Sequence, residues 1–175
     1  MADQSHPLTP AEIAALLRSA CAVVRAELAE LPAAAVRWHP APGEWCVLEV
    51  LGHLIEAEQR GFAGRIRIIL EHDESTLEAW DQVAVARARR DCERDPTALL
   101  DEFATLRAAS AALVAGLRDS DLRRGAAHPT VGHLRVGDLL HEWIHDDRNH
   151  VKQLLANVQG FVWPHMGNAQ RFSRP

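Results

Sequence analysis

Residues 137–158, which are rich in histidine and aspartate, constrain this chain more than any other stretch. Their apolar residues recur at helical spacing: Leu139, Leu140, Trp143, Ile144, Val151, Leu154, Leu155 and Val158. This spacing predicts one long amphipathic helix with a core-facing side. Because successive helical residues turn by about 100°, Asp147 projects near the middle of that side. A carboxylate there is costly unless it is paired or metal-bound, so the segment predicts a site within the core.

Three further segments show the same periodicity. Residues 9–30 begin with Thr9, Pro10 and Glu12, the pattern of a capping box with proline at the first helical position. Residues 47–71 and 95–117 carry their own apolar stripes, and the former is apolar on more than one side. Strand-like alternation is absent. The pattern predicts an all-α four-helix bundle with long connections, formed by a single domain over 1–175.

The boundaries follow from where the periodicity stops. We expect the core to span about residues 10–160, with residues 161–175 as a C-terminal tail without periodicity. Residues 77–90 favour a short helix, whereas 31–46 and 119–136 are expected to be connecting loops because they contain proline and glycine. The charged run at residues 86–95 is more typical of a solvated face than of an anion site.

Composition excludes several classes of function. The net charge of -5 and the pI near 6.0 argue against a general nucleic-acid binder. No apolar run approaches the roughly 20 residues of a membrane span, and the N-terminal sequence has no cleavage signal, so we expect a cytoplasmic protein. Cys21, Cys46 and Cys92 are an odd number at no metal-like spacing, which favours unpaired thiols.

Two pairs of residues in the last helix have the i, i+4 spacing of metal ligands. His141 and His145 turn away from the apolar side, so surface histidines are the favoured interpretation. Asp146 and His150 lie closer to the core and could bind zinc, nickel, iron or manganese. A hydrogen-bonded Asp–His pair that stabilises the bundle explains the same spacing equally well. A third ligand would have to come from elsewhere in the chain.

Two blocks of sequence resemble the signatures of the DinB-like (YfiT-like) metalloenzyme superfamily. The first, EWCVLEVLGH at residues 44–53, is similar to the family's Glu-Trp-Ser-x-x-Glu-x-x-x-His. The second, HEWIHDDRNHVKQLL at residues 141–155, is similar to its His-Asp-x-x-His followed by x-x-Gln, ending here in His150 and Gln153, and the HPTVG loop at residues 128–132 also fits. The resemblance covers about residues 10–160. It implies a four-helix bundle with a divalent metal held by three histidines.

Carried over residue by residue, the resemblance makes His53 the first ligand and His150 the third. The second ligand position falls on Asp146, and the family's following aspartate falls on Asp147, which would support the ligands from behind. His145 stands one position too early. Three explanations stay open: Asp146 binds in place of histidine, a π-bulge brings His145 into line with His150, or the site is degenerate and empty.

Several relatives are thiol S-transferases, and one is a maleylpyruvate isomerase; these enzymes act with a metal and a low-molecular-weight thiol. The resemblance thus implies a metal-dependent thiol S-transferase or hydrolase-like enzyme that acts on a small molecule. Zinc or nickel is expected first, then iron or manganese. A homodimer is expected, with neither nucleic acid nor membrane as a partner. The alternative is a non-catalytic bundle that binds a small molecule or dimerises, with a degenerate site.

Overall fold

The computed structural model describes residues 6–72 and 74–173, and within them it confirms the four-helix bundle. In chain order the elements are α1 (Pro10–Glu30), α2 (Ala33–Val36), α3 (Val47–Glu56), α4 (Ala63–Glu71), α5 (Gln82–Arg89), α6 (Pro96–Ala115), α7 (Asp119–Leu122), β1 (Gly125–His128), β2 (Gly132–Arg135) and α8 (Val136–Val162). The bundle consists of α1, the consecutive pair α3 and α4, α6 and α8. The shorter elements lie in the connections between these long helices.

The first helix begins as its sequence predicts. Thr9 Oγ1 accepts a hydrogen bond from the Glu12 backbone at 3.3 Å, and the Glu12 carboxylate accepts one from the Thr9 backbone at 2.8 Å. Pro10 occupies the first helical position, where its missing N–H costs nothing. These contacts satisfy backbone groups that helix starts otherwise leave without partners, and they fix the direction in which α1 enters the bundle.

A π-helical turn, Ala57–Gly61, interrupts the second long helix between α3 and α4. The Phe62 amide donates to the Ala57 carbonyl at 2.7 Å, the wider spacing of a π-helix. A Cβ at Gly64 would lie 2.0 Å from the Gln59 carbonyl oxygen, so only glycine allows the chain to pass here. The prediction of one regular helix over residues 47–71 is therefore wrong in its middle.

The core fills the bundle in two clusters. One is centred on Ile13, Phe62 and Trp143. The rings of Phe62 and Trp143 stack with their centroids 5.2 Å apart. The other surrounds Leu51 and Phe103. Nearly every residue of α3 is buried, as its two apolar sides predict. Because α3 lies inside the bundle, any polar side chain that it carries must find a partner there.

The connections contain more structure than their sequences predict. The 119–136 loop contains α7 and an antiparallel hairpin of β1 and β2, paired from Gly125 with Arg135 to His128 with Gly132. Strands of only four residues, with one fully buried position between them, leave no hydrophobic alternation to detect. At the C-terminal end, α8 continues to Val162 and short 3-10 turns follow it. Among the described residues, no helix is long and apolar enough to cross a membrane.

In the charged, cysteine-containing connection, the expectation of unpaired thiols is wrong for two of the three cysteines, and the expected solvated face has one buried exception. The structure pairs Cys46 with Cys92, whose Cα atoms are 6.8 Å apart, and Cys21 is the free cysteine. Within the run expected to be solvated, Asp91 is only 1% exposed, because Arg89 and Arg94 bond to its two carboxylate oxygens. Neither feature leaves a periodic signal in the sequence. Cys46 and Cys92 are 46 residues apart, and Asp91 looks like any other acidic residue in a charged run.

Candidate metal centre

The structure brings together the three residues that the sequence analysis places at a metal site. His53 extends from α3, and Asp146 and His150 lie one turn apart on α8. Asp146 Oδ1 is 3.4 Å from His150 Nε2, and Asp146 Oδ2 is 3.9 Å from His53 Nε2. The ligand atoms of all three lie within 4.8 Å of one another. This spacing allows one small cation to contact two imidazole nitrogens and one carboxylate.

Two atoms of this cluster are buried without a hydrogen-bond partner in the described chain, His53 Nε2 and Asp146 Oδ2. Buried polar atoms in folded proteins are nearly always satisfied, and leaving one unsatisfied costs about 1–3 kcal/mol. Both atoms can donate a lone pair to a cation, and nitrogen and carboxylate oxygen are the ligands that zinc and similar divalent ions accept. The donor set therefore fits a divalent metal.

A hydrogen bond fixes the orientation of the His150 ring. Its Nδ1 lies 3.0 Å from Gln153 Oε1, which can only accept, so Nδ1 carries the proton and donates it. The lone pair of the neutral ring is then on Nε2, the nitrogen that faces Asp146. Histidines that bind metals commonly use their second nitrogen in this way. Gln153 thus leaves the Nε2 lone pair of the neutral His150 ring free to bind a cation.

The cluster also has a strong internal electrostatic coupling. Burial alone would raise the pKa of Asp146, but the attraction of its carboxylate to the nearby imidazoles of His150 and His53 outweighs burial and holds that pKa well below its usual value. Burial alone would lower the pKa of His150, but the Asp146 carboxylate raises it above its ordinary value. The Asp146 carboxylate therefore favours positive charge beside it, whether that charge is a proton on His150 or a bound cation.

Tryptophan rings hold the imidazoles in place. His53 lies between Trp45 and Trp80, at centroid distances of 5.3 and 5.9 Å, and Trp45 also stacks on His150 at 6.3 Å. The Asn157 side chain donates to the Trp45 carbonyl at 2.8 Å and ties this loop to α8. These contacts restrict the rotation of both rings and limit access of water to one side of the cluster. Sequence analysis did not connect Trp80 with the site, since it lies in a polar connection.

A cavity of about 530 Å³ opens beside His53 and Asp146. Its wall includes Arg65, Trp80 and Glu142. The Arg65 guanidinium donates to the Glu78 carbonyl at 3.1 Å, and its Nε is buried without a partner in the described residues. The cavity has the volume of a small-molecule site, and His53 and Asp146 of the candidate cluster form part of its wall.

Comparison with known proteins decides the family. The sequence profile of the DinB superfamily matches residues 16–154. The chain belongs to the DinB superfamily. No functionally curated protein matches it. Among solved structures it is similar to YfiT from Bacillus subtilis, with a TM-score of 0.81 and 18% sequence identity over 93% of this chain and 94% of that one. YfiT is described as a probable metal-dependent hydrolase with an unusual four-helix bundle topology.

In this superfamily member, His145 lies outside the cluster. Its side chain is exposed, and its Nδ1 is 3.3 Å from the Asn149 side-chain nitrogen. The α8 helix is regular from Val136 to Val162, so the π-bulge that would bring His145 into line is absent from it. A regular helix turns His145 about 100° away from Asp146. His141 is exposed as predicted, and it accepts a hydrogen bond from the Leu8 amide at 3.1 Å.

Asp147 has a different partner from the one that the resemblance implies. Both of its oxygens accept hydrogen bonds from the buried Arg107 of α6, and Arg107 Nε lies 2.5 Å from Glu58 Oε1. Asp147 is therefore held by an arginine rather than by an imidazole of the cluster. Arg107 and Glu58 were missed. Their helical positions could have predicted that both are buried. Arg107 follows Phe103 by four residues and Glu58 follows Leu54 by four, so each lies on the apolar face of its helix.

Proposed function

We propose that this protein is a metal-dependent enzyme that acts on a small molecule, as a hydrolase or as a thiol S-transferase. His53, Asp146 and His150 hold the divalent ion. The observation that carries the proposal is the pair of buried, unpartnered ligand atoms, His53 Nε2 and Asp146 Oδ2, at the wall of a cavity. The DinB fold and the printed description of YfiT as a probable metal-dependent hydrolase support it.

The three metal ligands determine which reactions the centre could catalyse. A divalent ion with three protein ligands keeps a position open, where a water or a thiol binds and loses its proton more readily. Asp146 brings a negative charge where the family pattern has a neutral histidine, which makes this centre a weaker Lewis acid. Imidazole and carboxylate together suit zinc or nickel, and also iron or manganese.

The residues that line the cavity could bind the substrate beside the metal. Arg65 keeps its positive charge at the wall and has no carboxylate partner within the described chain, so it can orient an electronegative group of the substrate. The indole of Trp80 gives an apolar surface beside His53. Glu142 lies on the same wall and can accept a proton or a hydrogen bond. These groups line the same cavity as His53 and Asp146, two of the three residues that would hold the ion.

Metal binding and activity test the proposal together. Tag-free protein, purified without a nickel column, is titrated with zinc and with nickel by calorimetry. His150→Ala and the matched control His145→Ala are titrated in the same way. We expect one equivalent bound at the cluster in wild type and in His145→Ala, and its loss in His150→Ala. Ester, amide and thiol-transfer substrates are then assayed with and without metal. Identical titrations for the three proteins, or turnover that ignores the metal, would contradict the proposal.

Self-association remains part of the proposal. Trp163 and Phe172, in the C-terminal 3-10 turns, are 38% and 93% exposed. Exposed aromatic rings at the end of a bundle suit a homodimer contact better than a monomer surface. Light scattering at tens of micromolar protein is expected to give a dimer that Phe172→Ser weakens. A monomeric mass for wild type would refute the homodimer without bearing on the metal site.

A further inference from the structure

A second group of metal-ligating side chains lies at the N-terminal end of α3. It consists of His39, Cys46, Glu49 and Cys92, and one ligand atom from each lies within 4.8 Å of the others. Cys46 is fully buried, Glu49 and Cys92 are partly buried, and His39 is exposed. No residue is shared with the His53 cluster. Thiolate, imidazole and carboxylate in one place form a donor set typical of zinc.

Local structure positions the two residues at the start of α3. Cys46 is the residue immediately before the helix, and its backbone N–H donates to Glu49 Oε2 at 2.9 Å. Glu49 Oε2 is also 3.1 Å from His39 Nε2. The positive end of the helix dipole stabilises a negative charge at this point, which favours a thiolate on Cys46.

The turn that carries Cys92 is held firmly against α3. Arg37 donates to the Cys92 carbonyl at 3.0 Å and to the Arg94 carbonyl at 3.0 Å. The buried Asp91 packs so closely on α3 that a Cβ added at Gly52 would lie 1.8 Å from its carboxylate. Cys92 is therefore held beside Cys46 by contacts that do not involve its sulfur.

We propose that these four side chains, in the reduced protein, bind one thiophilic divalent cation such as zinc. The distances already match the edges of a coordination tetrahedron. Cys92 Sγ is 3.7 Å from His39 Nε2, and His39 Nε2 is 3.1 Å from Glu49 Oε2. With bonds of about 2.3 Å to sulfur and about 2.0–2.1 Å to nitrogen or oxygen, those edges are about 3.6 and 3.4 Å.

Metal binding and the Cys46–Cys92 disulfide exclude each other. A shared zinc ion needs two thiolates about 3.8 Å apart, whereas a disulfide joins the sulfurs directly. A phosphine and water convert the disulfide to two thiols and one phosphine oxide, and metal binding then releases the two thiol protons. The Cα atoms are 6.8 Å apart, at the wide end of the range of about 4.4–6.8 Å for disulfides, so the sulfurs have room to separate.

Cobalt distinguishes this site from the His53 cluster, which contains no sulfur. Phosphine-reduced, metal-free protein is titrated with Co²⁺ and its near-ultraviolet sulfur-to-cobalt charge-transfer band is recorded. We expect the band in reduced wild type, in Cys21→Ser and in His150→Ala, and its loss in oxidised wild type and in Cys92→Ser. Zinc should displace cobalt and remove the band. Circular dichroism shows whether each variant is folded.

A variant of the exposed ligand tests the donor set without disturbing the core. His39→Ala removes a side chain that is 46% exposed, so the protein should fold normally. We expect it to weaken cobalt binding at this site at least about tenfold, a free-energy loss of about 1.4 kcal/mol. Absence of the band in reduced wild type, an equal band in Cys92→Ser, or unchanged affinity in His39→Ala would overturn the four-ligand site. None of these results depends on the His53 cluster.

Discussion

Asp146 and Asp147 are consecutive residues of α8, yet they lie in opposite chemical settings. Asp147 is 1% exposed, and both of its oxygens bond to Arg107, which also contacts Glu58. Asp146 lies between two imidazoles at the edge of a cavity, and one of its oxygens has no hydrogen-bond partner in the described chain. The first aspartate belongs to a closed ion network, and the second to an open ligand set.

The difference implies that Asp147 contributes to stability and that the adjacent Asp146 is available for metal binding. In the core, both oxygens of Asp147 are satisfied by Arg107, so breaking that pair exposes uncompensated charge to an apolar interior. An open ligand set keeps lone pairs for an ion, and its metal-free form is strained by atoms without partners. Substitutions in the closed network should therefore affect folding, whereas those in the open cluster should affect metal binding.

The largest effect is expected from Arg107→Met. It removes the partner of both Asp147 and Glu58 and leaves two carboxylates in the core, which should lower the free energy of unfolding by about 3–5 kcal/mol. Urea denaturation followed by circular dichroism measures it. Arg90→Met, which breaks an exposed pair with Glu93, is the control and should change little. Equal losses in the two variants would mean that the network does not stabilise the core.

Asp146→Ala should give the reverse result. We expect zinc affinity to fall by about 100-fold or more, since even residues behind the ligands contribute 10–100-fold. The free energy of unfolding of metal-free protein should also fall, because the lowered pKa of Asp146 means that its ionised form stabilises the fold, but only by about 1–2 kcal/mol, less than in Arg107→Met. Calorimetric titration and urea denaturation measure the two quantities. A large stability loss with unchanged affinity would make Asp146 a structural residue.

Gln153→Ala should weaken metal binding without abolishing it. The variant removes the acceptor that keeps the proton on His150 Nδ1, so zinc affinity should fall by about 10–100-fold. Gln153→Glu keeps an acceptor at the same place and should restore most of the affinity. The neighbouring exposed Lys152→Ala serves as a control. If Gln153→Glu and Gln153→Ala bind equally weakly, the hydrogen bond does not orient the ligand.

The smallest effect concerns pH. The pKa of His150 is raised in the folded protein, so the stability it contributes is complete below its unfolded pKa of about 6.5 and is lost as pH rises through the folded value. Metal-free protein should therefore become less stable above about pH 6.5, whereas zinc affinity should increase as the competing proton leaves. Urea titrations at several pH values measure this trend, which His150→Ala should lack. A rising stability for metal-free wild type would contradict the coupling.

Local patterns explain which parts of this structure the sequence predicts. The capping box of α1, the apolar stripes and the spacing of Asp146 and His150 all depend on residues within one or two helical turns. These local patterns predict the bundle. Together with the family resemblance, they predict His53 as the third member of the cluster. Long-range pairings were not predictable. Neither the Arg107–Asp147 bond nor the Cys46–Cys92 pair leaves a period in the sequence, because each joins elements through packing alone.

The most direct test of the metal centre is an anomalous diffraction map from crystals of tag-free protein grown with zinc. It should be recorded on both sides of the zinc absorption edge. The account predicts a peak at bonding distance, about 2.0–2.2 Å, from His53 Nε2, Asp146 and His150 Nε2. A peak that is coordinated by His145 instead, or density that shows only water among the three residues at saturating zinc, would contradict it.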